Sequence, residues 1–187
     1  EFDAVKIFAE IIDRYESNYP LSLPAAKRES LPLFLAEAFR AASRYKLQPY
    51  PGVRKILDEL AVKYRLAAVS DGQSVWARPE LYHVGLLDMF DPLIISSDLG
   101  FRKPDPRIYQ AALAKLDLWP EEVIFIGNDM YRDIWGPHQL GIKTVFFKSN
   151  QGDHSPQNVE ADYIIYRFEE LPEAVSFIEK KFFNKKI

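Results

Sequence analysis

Two aspartates four positions apart follow a short apolar run in the second half of the sequence. The run 123–126 stops at Gly127, and Asp129 and Asp133 come directly after it. A continuous apolar run is typical of a parallel strand that is covered on both faces. Ligands of open α/β sheets bind beyond the carboxyl ends of the strands, where carboxylates can hold a divalent cation. The alternative is that Asp129 is a turn residue and Asp133 a helix-start residue, which are common roles for aspartate.

A second polar cluster ends another apolar run. Ser70, Asp71 and Gly72 follow the run 66–69. A serine hydroxyl and the backbone N–H groups of a tight turn can bind a phosphate-like anion. The same three residues would also form an ordinary turn, so both interpretations stay open at this point.

A lysine in a stiff segment is the third candidate. Lys103 is followed by Pro104 and Pro106, which restrict the backbone around it. Its ammonium could be aimed at a site, where it would offset the charge of carboxylates and of a phosphoryl group. Taken alone, the pattern is better explained by an exposed surface lysine.

Alternating strands and helices must position these residues. Short apolar runs lie at 66–69, 93–95, 123–126, 144–147 and 161–165. Segments with helical character lie at 53–63, 73–87 with an interruption at Pro79, 107–117, 131–140 and 168–183. This alternation predicts an α/β fold with a parallel sheet.

The first 46 residues differ, because they show helical periodicity and no strand. One amphipathic helix is predicted over 2–18, and a second helix is predicted to begin near 22–24 and to be broken at Pro32. The turn-rich segment 47–52 marks the boundary. We therefore expect a helical subdomain at 1–46 and an α/β domain at 47–187.

Composition narrows the function class. The 187 residues carry a formal charge of -3, which gives no long-range attraction to nucleic acid or to an anionic membrane. The sequence has no cysteine, which excludes disulfides, thiolate metal sites and a cysteine nucleophile. No apolar run approaches the ~18 residues of a membrane span, and no signal peptide is visible. A cytoplasmic protein is expected, with a homo-oligomer as an option.

The order of the three polar clusters resembles the second, third and fourth motifs of the haloacid dehalogenase superfamily of hydrolases. Ser70 matches the second motif, Lys103 the third, and Gly127-Asn128-Asp129 with Asp133 the fourth. The resemblance covers about residues 50–150. It implies a doubly wound, Rossmann-like parallel sheet with a small helical cap, to which residues 1–46 are similar.

The resemblance also implies roles for the candidate residues. The Ser70-Asp71-Gly72 turn would bind the phosphoryl group of a small phosphorylated substrate, and Lys103 would be the catalytic lysine. Asp129 would bind Mg2+, with Asp133 supporting the metal site.

One part of the family pattern is missing. The first motif is an aspartate nucleophile at the end of a first strand, with a second aspartate two residues later. Nothing before residue 47 matches it, since Asp3 lies in a helical pattern and Asp13 lies in mid-helix. The nucleophile is therefore expected upstream of this sequence.

The implied activity is Mg2+-dependent hydrolysis of a small phosphate monoester through an aspartyl-phosphate. Two alternatives stay open. One is a non-catalytic domain that binds a phosphorylated ligand or a protein partner, and the other is a dehalogenase of 2-haloacids, which attacks carbon and needs no metal.

Overall fold

The computed structural model describes residues 2–19, 22–155 and 157–183. The α-helices are α1 (Ala4–Asn18), α2 (Ala25–Ser43), α3 (Val53–Ala61), α4 (Ser74–His83), α5 (Ser96–Leu99), α6 (Pro106–Leu116), α7 (Gly136–His138) and α8 (Leu171–Ile178). The strands are β1 (Ala68–Ser70), β2 (Leu93–Ile95), β3 (Ile124–Gly127), β4 (Lys143–Phe147) and β5 (Tyr163–Ile165). Single 3₁₀ turns lie at Leu87–Met89, Pro120–Glu122 and Phe168–Glu170, and π-helical turns lie at Met130–Trp135 and Glu179–Phe183.

All strand pairs are parallel, as the alternating pattern predicts. β1 pairs with β2, and β3, β4 and β5 pair in that order. All five predicted strands are present, within two residues of the apolar runs at each end. The helix predicted at 168–183 is present as three consecutive segments, of which α8 is the longest.

Helices cover both faces of these strands. Phe125 of β3 packs in the cluster around α6, whereas Ile124 and Ile126 pack in the cluster formed with α3 and α8. Successive residues of a strand point to opposite faces, so α6 lies on one face and α3 and α8 lie on the other. This is the predicted α/β arrangement with a doubly wound parallel sheet.

β1 and β3 are each a terminal strand of their set. Val69 of β1 and Phe125 of β3 both pack against the α6 cluster, which puts the two strands in one layer. Among the described residues, β1 bonds only to β2 and β3 only to β4, and both strands are half-buried along their whole length. In contrast, residues 144–147 of β4 are buried. Each of these two apolar strands thus has one edge without a strand partner among the described residues.

Hydrogen bonds and an ion pair connect the helical pair α1–α2 to α4 and to its N-cap residue. Gln73 accepts a hydrogen bond from the backbone N–H of Ala4 at 2.8 Å and donates to the carbonyl of Phe2 at 2.7 Å. Trp76 donates its indole N–H to the carbonyl of Ala36 at 2.9 Å. Arg40 forms a two-pronged ion pair with Glu80, at 2.7 and 3.0 Å. Gln73, the N-cap residue of α4, together with Trp76 and Glu80 of α4, attaches the helical pair.

Two predicted helix breaks are wrong. α2 continues through Pro32, and α4 continues through Pro79. Pro32 is buried, so its ring contributes to packing. Pro79 lies between Trp76 and Glu80, and both of these residues bond to α2. The burial of Pro32 and the tertiary contacts on both sides of Pro79 outweigh the local cost of a proline in a helix.

No membrane span is found in the part of the chain that the structure describes, where every helix is too short or too polar to cross a bilayer.

Replacing Glu80 with Gln is expected to lower the free energy of unfolding at neutral pH by about 0.5–1 kcal/mol, a value that allows for solvent screening of Arg40. The hydrogen bonds from Arg40 hold the pKa of Glu80 below its usual 4.5, and burial opposes them only in part. A carboxyl whose pKa is depressed on folding stabilises above the unfolded pKa, and this stability is lost as pH falls through the folded pKa.

Urea unfolding at neutral pH and at a pH below the lowered pKa measures this effect. The Glu80→Gln protein and the unmodified protein should converge at the lower pH. The exposed Glu59 of α3 provides a control, because Glu59→Gln makes the same charge change away from α2. An equal loss of stability at both pH values would contradict the ion-pair explanation.

Candidate active site

Asp133 accepts three hydrogen bonds near the carboxyl end of β3. Its Oδ2 accepts the backbone N–H groups of Asn128 at 3.0 Å and Asp129 at 3.1 Å. Its Oδ1 accepts a hydrogen bond from Nζ of Lys103 at 2.7 Å, and the Asp133 side chain is only 7% exposed. Asp133 therefore fixes both the turn after β3 and the direction of the lysine.

Lys103 links the ends of β1 and β3. Its backbone N–H donates to Oδ1 of Asp71 at 2.9 Å, and its side chain reaches Asp133 across the ring of Phe125. The side chain is 12% exposed. The structure thus excludes the surface-lysine interpretation and brings Lys103, Asp71 and Asp133 together.

The turn after β1 is held by two serines that the sequence interpretation missed. Oγ of the fully buried Ser96 accepts the N–H of Gly72 at 3.0 Å and donates to the Gly72 carbonyl at 3.2 Å. Oγ of Ser97 accepts the N–H of Ser74 at 2.9 Å. Ser70 lies at the carboxyl end of β1 beside Gly72, as predicted. The Gly72 N–H is committed to Ser96, which makes the turn rigid.

Asp129 is the N-cap residue of the π-helical turn Met130–Trp135, where the sequence predicted a helix-like segment over 131–140. The π-helical turn is followed by the short α7, so the predicted helical segment is present and begins with a π-helical turn. Oδ1 of Asp129 accepts the backbone N–H of Arg132 at 2.8 Å. The turn-residue interpretation of Asp129 therefore describes part of its role.

Arg132 is a second residue that the sequence interpretation missed. Its Nη2 and Nε lie 2.6 and 2.9 Å from Oδ2 of Asp129. Its Nη1 lies 3.7 Å from Oδ2 of Asp71. Its position three residues after Asp129 was the available signal. The guanidinium lies between the carboxylates that follow two different strands.

The loop after β4 closes the other side of Asp129. The backbone N–H of Asp153 donates to Oδ2 of Asp129 at 3.2 Å, and the N–H of Met130 donates to the Asp153 carbonyl at 2.7 Å. Asn128 donates its side-chain amide to Oγ of Ser149 at 3.1 Å. Asp129 is thus enclosed by its own turn and by this loop.

These contacts set the charge state of the site. Burial disfavours the Asp129 carboxylate, but the bonds from Arg132 and from the Asp153 backbone outweigh it and keep the pKa of Asp129 below its usual value. The hydrogen bond to Asp129 raises the pKa of Arg132. Asp129 is therefore ionised at neutral pH, and Arg132 carries the compensating charge.

Tyr109 supports the turn from behind. Its ring is buried against Phe125, and its hydroxyl donates to the carbonyl of Arg132. Burial raises the pKa of Tyr109 well above its usual value, with a further contribution from the charge of Asp133. The hydroxyl thus stays protonated and holds the Arg132 backbone in place.

The carboxylate oxygens of the site are the kind of ligand that a hard divalent cation prefers, but there are too few of them to complete its coordination. Oδ2 of Asp71 is buried and accepts no hydrogen bond, which leaves it available as an oxygen ligand. Asp129 and Asp133 are paired with Arg132 and Lys103, respectively. Residues 2–19, 22–155 and 157–183 contain no group of three or more His, Cys, Asp or Glu that could hold a metal by itself. At least one more oxygen ligand would have to complete the site.

Carboxylates, a lysine and a serine turn at the carboxyl edge of a parallel sheet define an α/β enzyme whose ligand lies beyond the strand ends. The sequence profile of the haloacid dehalogenase-like hydrolases matches residues 7–147. The chain belongs to this family of hydrolases, which confirms the resemblance inferred from the motifs.

Individual relatives agree with this assignment. Glyceraldehyde 3-phosphate phosphatase of Pyrococcus furiosus is 31% identical, and the match covers 97% of this chain and 79% of the relative. The crystal structure of a HAD phosphatase from Thermococcus onnurineus is similar, with a TM-score of 0.65, 27% identity and coverage of 78% and 69% of the two chains. A 2-haloacid dehalogenase from Pseudomonas syringae has the same fold, with a TM-score of 0.74 at 22% identity, covering 93% of this chain and 70% of the other.

Proposed function

We propose that this chain forms most of a Mg2+-dependent phosphatase that acts on a small phosphate monoester. The observation that carries the proposal is that Lys103 joins two strand ends, because it bonds to Asp71 in the turn after Ser70 and to Asp133 beyond the end of β3. The phosphatases of Pyrococcus furiosus and Thermococcus onnurineus support this class of substrate. The similarity to the 2-haloacid dehalogenase, at 22% identity, supports the fold alone. A cytoplasmic location remains the expectation from the sequence.

The roles of the residues follow from their contacts. The Ser70 hydroxyl, on a turn fixed by Ser96, would bind an oxygen of the phosphoryl group. The Lys103 ammonium would offset charge on the same group, because Asp133 holds it at the strand ends. In a loose phosphoryl transition state the charge lies mainly on the oxygens, so positioned cations are the main requirement.

Asp129 is the proposed metal ligand, with Oδ2 of Asp71, which accepts no hydrogen bond, as a second oxygen. Asp133 acts by holding Lys103. Mg2+, when bound, would stabilise negative charge on the phosphoryl oxygens.

We also propose that the nucleophile is an aspartate on a further parallel strand between β1 and β3. The open, half-buried edges of these two strands support this position. A strand there would end next to Asp71 and Asp129, because parallel strands end at the same edge of a sheet. Its carboxylate would attack phosphorus, the ester oxygen would leave, and water would hydrolyse the aspartyl-phosphate.

The test is the hydrolysis of p-nitrophenyl phosphate and glyceraldehyde 3-phosphate by the product of the whole gene. We expect phosphate release with Mg2+ and its loss after EDTA. Asp129→Asn should lower kcat/KM by about 100-fold or more, because it removes the charge that would hold the metal. Asp58→Asn is the control, because Asp58 pairs with Arg54 on the exposed surface of α3.

Three results would contradict the proposal. Turnover that persists in EDTA would exclude the metal role. Release of halide from a 2-haloacid, without release of phosphate, would favour the dehalogenase. Stabilisation by inorganic phosphate without any turnover would favour a binding domain.

A further inference from the structure

Arg132 binds the same carboxylate that is proposed to hold the metal. Two of its nitrogens lie 2.6 and 2.9 Å from one oxygen of Asp129, and a third lies 3.7 Å from Asp71. A guanidinium in this place supplies positive charge to two carboxylates that come from different strands. This is the charge that a divalent cation would supply to the same pair.

The chain holds the backbone of Arg132 in place on both sides. Its N–H donates to Oδ1 of Asp129, and its carbonyl accepts the hydroxyl of the buried Tyr109. The side chain is less confined, because 41% of it is exposed. The guanidinium can therefore leave Asp129 without a change in the backbone of the π-helical turn.

The Arg132–Asp129 pair differs from an ordinary surface ion pair in the burial of its carboxylate. Arg167 and Glu170 are also three residues apart, but their side chains are 74% and 30% exposed. The Asp129 side chain is 5% exposed, and Oδ2 of Asp71 is buried without a hydrogen bond. Buried carboxylates need a nearby cation, whereas exposed ones are satisfied by water.

We propose that Arg132 is the resident counter-ion of the metal site, that it competes with the divalent cation for Asp129, and that it thereby lowers the affinity of the site for metal. This inference rests on the proposed metal-binding role of Asp129. Arg132 would stabilise the site without metal and would turn toward solvent when a cation binds. It is a positioning residue that acts through Asp129.

The test is Mn2+ and Mg2+ binding to the whole-gene protein, measured by isothermal titration calorimetry without substrate. Arg132→Gln removes the competing charge and should bind each cation about fivefold more tightly, since one partly screened ion pair is lost. Arg132→Lys keeps the charge but not the planar two-pronged contact, so an intermediate affinity is expected. Lys63→Gln is the control for net charge. Lys63 precedes β1, so it lies near the amino end of this strand and not at the carboxyl end, where the site is, and its side chain pairs with Glu179.

The outcomes separate this proposal from the proposed function. If the unmodified protein binds metal and Arg132→Gln binds it equally or more weakly, the competition is excluded and the metal site stands. If neither protein binds metal, the competition by Arg132 and the proposed metal site are both wrong. Circular dichroism checks that each variant is folded, and if Arg132→Gln is not, tighter binding by Arg132→Lys than by the unmodified protein decides the question.

Discussion

Replacing Lys103 with Met is expected to lower kcat for phosphate release by about 10²- to 10³-fold, the range found when one charge-stabilising group is removed from an active site. Met has an unbranched apolar side chain and removes the ammonium, whose Nζ lies 5.7 Å from the centre of the Phe125 ring. The lysine side chain is 12% exposed and is fixed 2.7 Å from Asp133, so bulk water cannot easily replace its charge. The loss should therefore fall on kcat more than on KM.

The same substitution leaves Asp133 without its cation. Removing one partner of a buried ion pair costs about 3–5 kcal/mol, and Asp133 is 7% exposed. Folding must therefore be measured together with activity, by urea unfolding of each variant. A double variant, Lys103→Met with Asp133→Asn, removes both charges and should recover stability without recovering turnover.

Lys115 provides the matched control for the activity measurement. It is exposed in the last turn of α6, and Lys115→Met makes the same chemical change away from the strand ends. Steady-state kinetics with p-nitrophenyl phosphate should separate the two variants by at least about 100-fold. A folded Lys103→Met protein with unchanged kcat would show that the lysine takes no part in the chemistry.

The position of this lysine could be predicted from the sequence only in part. Apolar runs define the strands, and the topology of parallel sheets then brings their carboxyl ends to one edge. Ser70 and Asp129 were therefore expected near each other from a local pattern and a general rule. The direction of the Lys103 side chain depends on Asp133, a residue 30 positions away.

Ser96 and Arg132 were missed for the same reason, because their contacts depend on the folded structure and not on a local pattern. Ser96 acts on Gly72 across 24 positions, and no local pattern indicates that contact. Arg132 is close in sequence to Asp129, but the pairing depends on the π-helical turn, which hydrophobic periodicity does not distinguish from an α-helix. Pro32 and Pro79 show the opposite case, in which a strong local preference yields to packing between helices.

Replacing Gly127 with Ala is expected to destabilise the protein by about 3 kcal/mol and to abolish the proposed activity. Gly127 is the last residue of β3, and a Cβ there would overlap the Cβ, Cγ and Oδ2 of Asp133. The overlap includes Cβ of Asp133, which cannot move without its backbone. Either β3 or the π-helical turn would have to shift.

That shift would break the contacts on which the site depends. Asp133 accepts the N–H groups of Asn128 and Asp129, and it accepts a hydrogen bond from Lys103. All three bonds use the same small carboxylate, so its displacement releases the turn and the lysine together. Loss of activity is therefore expected even at temperatures where the variant stays folded.

Gly72, in the turn after β1, offers a matched comparison. A Cβ at Gly72 would meet only the Ser70 hydroxyl, at 3.7 Å, which is ordinary van der Waals contact. Gly72→Ala should therefore change the free energy of unfolding by less than about 1 kcal/mol. Urea unfolding of both variants measures the difference directly. Equal free energies of unfolding for Gly127→Ala and Gly72→Ala would show that Asp133 tolerates a Cβ at position 127. Gly127 would then have no role in positioning the Asp133–Lys103 pair.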